Sequence, residues 1–87
     1  MKYNRNPQIF SKLIDGVWVL LKQDSAYCFK LNETAGFLWE SLNKPKTVDE
    51  LAKLVKSAYD IEEQQAATDV SMFIKNGLVQ GFILKKT

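Results

Sequence analysis

The chain has 87 residues, a net charge of +2, 46% hydrophobic and 25% charged residues, one cysteine and no histidine. That is the composition of one globular domain, with a thin stability margin, because a chain of this size buries only about 60% of its unfolded surface. It excludes an internal disulfide and an ordinary zinc site, and it removes the commonest general base.

No stretch approaches the ~18 uninterrupted apolar residues of a membrane span. The N-terminal Met1, Lys2, Tyr3, Asn4, Arg5 and Asn6 lead into no long apolar run, so no secretory signal and no membrane partner are expected. With the lone Cys28, this places the chain in the cytoplasm. The basic residues form small clusters (Lys44 with Lys46, Lys53 with Lys56, Lys85 with Lys86) that read as solvated surface. A phosphate-binding stripe would need more density on one face.

In chain order, residues 1–8 read as a flexible arm that Pro7 ends. Residues 9–14 form a first strand. Asp15-Gly16 between Ile14 and Val17 is a hairpin signal, because a type I′ turn needs φ > 0 at both central positions. Val17, Trp18, Val19, Leu20 and Leu21 form a second strand that is apolar throughout, so either both its faces are covered or one meets a partner. A turn follows at Gln23, Asp24 and Ser25. Residues 26–31 form the third strand, with Tyr27, Phe29 and Leu31 on one face and Ala26, Cys28 and Lys30 on the other. The meander leaves this third strand as an edge with no proline and one charge. Such an edge is either covered by the protein itself or kept open to receive another strand.

Leu31, Asn32 and Glu33 join the strands to the helices. Asn32 can cap the first helix, residues 33–43, and Glu33 suits the positive end of its dipole. Ala35, Leu38, Trp39 and Leu42 make its apolar face. Lys44, Pro45 and Lys46 break the helix. Thr47 and Glu50 then form a capping box for a second helix carrying Val48, Leu51, Ala52, Val55, Ala58 and Tyr59 on one face. Asp60-Ile61 makes a sharp connection. The third helix starts near Glu62, buries Ala66, Val70 and Phe73, and is expected to end at Gly77. Ala67, Ser71 and Ile74 lie on an adjacent small and apolar flank. Residues 81–87 allow a short extra strand and a tail. The whole is an α+β domain with a winged-helix-turn-helix-like order, a three-stranded antiparallel sheet followed by three helices.

Chemistry is hard to find in these residues. Cys28 has no sequence neighbour that would lower its pKa. The carboxylate pairs Asp49/Glu50 and Glu62/Glu63 stand at helix starts, where capping and dipole account for them. No Gly-rich nucleotide motif exists. Neither enzyme activity nor a cofactor or metal is expected. A winged helix raises the alternative of a nucleic-acid-binding regulator. The third helix, however, carries Glu62, Glu63 and Asp69 against Lys75, and its acidic N-terminal end would repel phosphates. An oligomerisation module whose open edge pairs with itself is a further alternative.

The block Leu31-Asn32-Glu33-Thr34-Ala35-Gly36, with Trp39-Glu40 behind it, resembles the PqqD-like family, the RiPP recognition elements. Other matching pieces stand in order over residues 9–80. They are Val19-Leu20-Leu21, Tyr27-Cys28-Phe29, Thr47-Val48-Asp49-Glu50-Leu51, Tyr59-Asp60-Ile61, Asp69-Val70 and Gly77-Leu78-Val79. Between Tyr59 and Gly77 the chain is about one helical turn shorter than the family pattern, which preserves the apolar phase and puts the length of the groove beside the third helix in question.

The resemblance implies a non-catalytic peptide chaperone. It would bind the leader of a ribosomally made precursor peptide and present it to a modifying enzyme or leader protease, in a lasso-peptide or PQQ-type pathway. The leader would add as an antiparallel strand to the third strand, with its side chains between that strand and the third helix. The implied peptide-binding residues are Ala26, Tyr27, Cys28, Phe29, Lys30 and Leu31 on the edge and Ala67, Val70, Ser71 and Ile74 on the helix. Phe29 reads as core, Tyr27 as core or pocket wall. Lys30 either pairs with an acidic leader residue or simply solubilises the edge.

Overall fold

The structure, a computed structural model, describes residues 1–23 and 26–86. Its elements are β1 (Lys2–Arg5), β2 (Ile9–Ile14), β3 (Val17–Lys22), β4 (Cys28–Lys30), α1 (Glu33–Ser41), α2 (Val48–Tyr59), α3 (Glu63–Gln80) and β5 (Ile83–Lys86). It is an α+β fold with the winged-helix-like order expected. The predicted turn at Asp24 and Ser25 lies outside the described residues. No helix among them is long and apolar enough to cross a membrane.

Strands β2, β3 and β4 form an antiparallel sheet in that order. Ile14 pairs with Val17, and the two residues between them both have positive φ, Asp15 at 51° and Gly16 at 80°. This is the backbone a two-residue type I′ connection requires. Directly paired residues share a face of the sheet. The register therefore puts Ser11, Leu20 and Phe29 in one row on the inner face, beside Leu13 and Trp18. The rows Phe10–Leu21–Cys28, Lys12–Val19–Lys30 and Ile14–Val17 lie on the outer face. Leu20 is fully buried in the core with Leu38, Trp39, Leu42, Leu51, Val55, Val70 and Ile83.

Both helix starts form as their residues dictate. Asn32 Oδ1 accepts from Ala35 N at 2.8 Å. In the capping box, Glu50 N donates to Thr47 Oγ1 at 3.1 Å and Thr47 N donates to Glu50 Oε1 at 2.9 Å. The Thr47 backbone N–H holds the Glu50 carboxyl below its ordinary range. Gly36 lets α1 lie against the sheet: a Cβ there would stand 3.1 Å from Trp18 Cδ1.

Three features differ from the sequence expectation. The N-terminal residues do not hang as a free arm. Strand β1 pairs antiparallel with β5, Lys2 opposite Lys86 and Arg5 opposite Ile83. Tyr3 and Lys46 exchange backbone bonds at 2.8 and 3.0 Å. Arg5 Nε and Nη2 both donate to the Trp39 carbonyl, at 2.8 and 2.6 Å. Nothing local signals this, because the partner strand is some 80 residues away. Secondly, β4 is shorter than residues 26–31, covering Cys28–Lys30. One further bond, Leu31 N to Trp18 O at 2.9 Å, continues its ladder.

Thirdly, α3 passes through Gly77 and ends at Gly81, whose φ is 82°. Phe82 N donates to Gly77 O at 2.8 Å and Gly81 N to Leu78 O at 3.3 Å. These are the two bonds of a Schellman ending. Gly77 is needed for packing instead, since a Cβ there would meet Ile83 Cγ1 at 2.8 Å and Ile83 Cβ at 3.1 Å. Ile83 is itself fully buried, so it has no room to retreat. Gly77→Ala is expected to destabilise the fold by about 1–3 kcal/mol, the range for overpacking a tight site, despite alanine's better helix propensity. A denaturant melt with an unchanged m-value checks it.

Candidate functional site

The free edge of β4 and one flank of α3 face each other across a groove of about 480 Å³. Leu20, Leu38, Trp39, Phe82 and Ile83 make its floor. Phe29, Lys30 and Leu31 line the strand side, and Asn32, Thr34 and Ala35 line the end where α1 begins. Asp69, Met72, Phe73, Asn76, Gly77 and Gln80 line the helix side. The lining is therefore apolar at the bottom, with amides and one carboxylate along the helix rim. Phe29 is held by Phe82, edge to face, with centroids 4.8 Å apart and planes at 73°. Among the described residues the buried Trp39 indole N–H has no hydrogen-bond partner.

The edge backbone decides what such a groove can do. In an antiparallel ladder, residues that bond to the neighbouring strand alternate with residues that do not. Leu31 N bonds to Trp18 O, so Leu31 and Phe29 turn their backbone groups to β3. Cys28 and Lys30 then direct their N–H and C=O outwards. Among the described residues β4 has β3 as its one neighbour in the sheet. This edge presents hydrogen-bonding groups in strand spacing directly above an apolar groove.

Of the residues the sequence put forward, Phe29, Lys30 and Leu31 are brought to the groove. Ala26 and Tyr27 precede β4, with Tyr27 73% exposed, and Cys28 is an exposed free thiol. The four helix residues lie elsewhere. Val70 and Ile74 are buried in the core, and Ala67 and Ser71 are exposed and outside the groove lining. The reason is rotational. The buried stripe is Ala66, Val70, Ile74 and Gly77, and at about 100° per residue the flank with Ala67 and Ser71 lies on one side of it and that with Asp69, Met72 and Asn76 on the other. The second flank is the one turned to β4. Its spacing, 69, 72, 73, 76 and 80, is a helical face visible in the sequence, but the side of the core it occupies is not. The additional turn beyond Gly77 supplies Gln80, so the groove runs past the expected helix end.

The family described as coenzyme PQQ synthesis protein D (PqqD) matches residues 17–83. The chain belongs to the PqqD family. Members of this family, the RiPP recognition elements, are non-catalytic modules. Among the described residues, no group of three or more His, Cys, Asp or Glu could hold a metal ion.

Comparison with curated proteins finds no match. Three solved structures share the fold of this PqqD-family chain. A lasso peptide synthetase B1 complexed with the leader peptide is 24% identical, with a TM-score of 0.85, covering 98% of this chain and 100% of its own. TbiB1 in complex with the TbiA(beta) leader peptide is 18% identical, with a TM-score of 0.85, covering 97% and 98%. The PqqD truncation of Methylobacterium extorquens PqqCD, a stand-alone RiPP recognition element solved by NMR, is 14% identical, with a TM-score of 0.79, covering 97% and 89%.

Proposed function

We propose that this PqqD-family chain binds the leader segment of a ribosomally made precursor peptide and presents it to a modifying enzyme or leader protease in the cytoplasm. The observation that carries the reading is the open β4 edge above the groove. A leader segment adding antiparallel to β4 would bond to the backbone of Cys28 and Lys30. Its alternate side chains would enter the groove between Phe29 and the flank of α3 with Met72, Phe73 and Asn76. Main-chain bonds would then supply affinity and the groove specificity. Two of the proteins that share the fold are complexes with leader peptides, which supports the same reading.

Handover needs a second surface, and the outer face of the sheet offers one. Phe10, Ile14, Leu21 and Val17 are 63, 47, 40 and 39% exposed and share that face. Val19 joins these two apolar rows, with Lys12 and Lys30 on either side of it, and exposed apolar surface rimmed by polar residues marks an interaction site. The pathway enzyme would cover it while the leader occupies the edge.

The test is a titration of 15N-labelled protein with the leader encoded by the neighbouring small gene. Saturable amide shifts confined to residues 28–31 and 69–80 are expected. A leader that moves neither segment, together with salt-sensitive binding to duplex DNA, would sink the proposal in favour of a winged-helix regulator.

A further inference from the structure

A second cavity, of about 490 Å³, lies beyond the α1 end of the groove, between the tip of the β2–β3 hairpin and the helices. Leu31 and Asn32 line both cavities, so the two adjoin across the β4–α1 connection. Three aromatic side chains wall the second one. Trp18 comes from β3, Phe37 from α1 and Tyr59 from the end of α2. Trp18 rests on Gly36, and Phe37 and Tyr59 meet edge to face at 5.5 Å. Glu33 and Glu40 also line it, and no lysine or arginine does. Arg5, which sits in the field of Glu40, has its guanidinium bonded to the Trp39 carbonyl. Burial first, and then the negative field of Glu33 and Glu40, raise the Tyr59 hydroxyl above its ordinary range.

Aromatic walls with carboxylates at the lining suit one kind of side chain. A lysine or arginine lays its apolar stem on the rings and places its charge near the carboxylates, with the ring faces adding cation–π attraction. An acidic group would be repelled, and a purely apolar one would gain nothing from the two carboxylates, of which Glu40 also lies in the field of Arg5. The occupant follows from continuity with the groove. A strand running antiparallel to β4 has its N-terminal end at Leu31 and Asn32. At about 3.3 Å per residue, the next one to three residues would pass over the second cavity.

We propose that this cavity takes a lysine or arginine side chain from the leader residues just N-terminal to the segment paired with β4. The inference rests on strand addition and adds to it a basic determinant that the groove itself does not read. The experiment has two arms. In the first, N-acetyl-arginine methylamide is titrated into 15N-labelled protein. It should shift the Trp18 indole and Tyr59 signals saturably, at least about fivefold more tightly than the neutral N-acetyl-citrulline methylamide. Glu40→Gln, shown to be folded by its melt, should remove that preference. In the second arm, the flanking basic residue of the leader from the neighbouring small gene is changed to glutamine, and binding should weaken about fivefold.

Equal shifts with arginine and citrulline, or no shift at Trp18, overturn the proposal. So does a leader with no basic residue in that flank. If the leader still moves residues 28–31 in either case, strand addition stands and the cavity assignment alone falls. If no leader moves residues 28–31, strand addition falls and takes this occupant with it, whatever the arginine probe does.

Discussion

Cys28→Pro and Lys30→Pro are each expected to weaken leader binding about tenfold while leaving the protein folded. Both residues turn their backbone groups away from β3, since the ladder bonds alternate from Leu31 N to Trp18 O at 2.9 Å. Proline there removes one outward N–H, and proline is tolerated on an edge strand where the lost donor faces solvent. A lost hydrogen bond is worth about 0.5–1.5 kcal/mol, the upper end of which is roughly tenfold in affinity. The steric bulk of the ring against an incoming strand adds to that. Phe29→Pro should behave differently, because it removes a bond to β3 and disturbs the contact with Phe82, so loss of folding is expected. Isothermal titration with the leader, beside thermal melts, separates these outcomes. A folded Lys30→Pro protein that bound normally would rule out main-chain addition to β4.

Filling the groove from the helix side should have an effect at least as large. Asn76→Trp starts from an exposed residue on the flank of α3 that lines the groove, so the fold can accept it. The indole would occupy space the leader side chains need, and a loss of tenfold or more is expected, about 1.4 kcal/mol. Ser71→Trp places the same side chain at an exposed position outside the groove lining and is expected to leave affinity unchanged. The pair compares the two flanks of one helix, and fluorescence anisotropy with a labelled leader reads both. If Ser71→Trp were the damaging variant, the peptide would lie on the Ala67 and Ser71 flank and the groove beside β4 would not be its site.

These two experiments fall on features of unequal legibility. The edge was legible, because a meander of three short strands necessarily leaves its third strand with one free side, and residues 26–31 hold none of the prolines that would blunt it. Phe29 and Leu31 were legible as inward-facing by alternation. The helix side was not. Ala67, Ser71 and Ile74 form a small apolar flank that suits a peptide groove on composition alone. Asp69, Asn76 and Gln80 look like solvated surface, and only Met72 and Phe73 beside them hint otherwise.

What the sequence by itself determined is local: the Asp15-Gly16 hairpin, the Asn32 cap, the Thr47–Glu50 box, the three strands of the β2-β3-β4 sheet followed by three helices, and the family block around Leu31 to Gly36. Each depends on residues within a few positions of one another, so the pattern and its physical cause lie in the same stretch. The tertiary structure alone decided the pairing of β1 with β5, the continuation of α3 to Gly81 and the flank of α3 that meets β4. These depend on contacts between distant segments. Gly77 shows the difference most directly: read locally it is a helix terminator, and only the return of Ile83 across it makes it a packing site inside the helix.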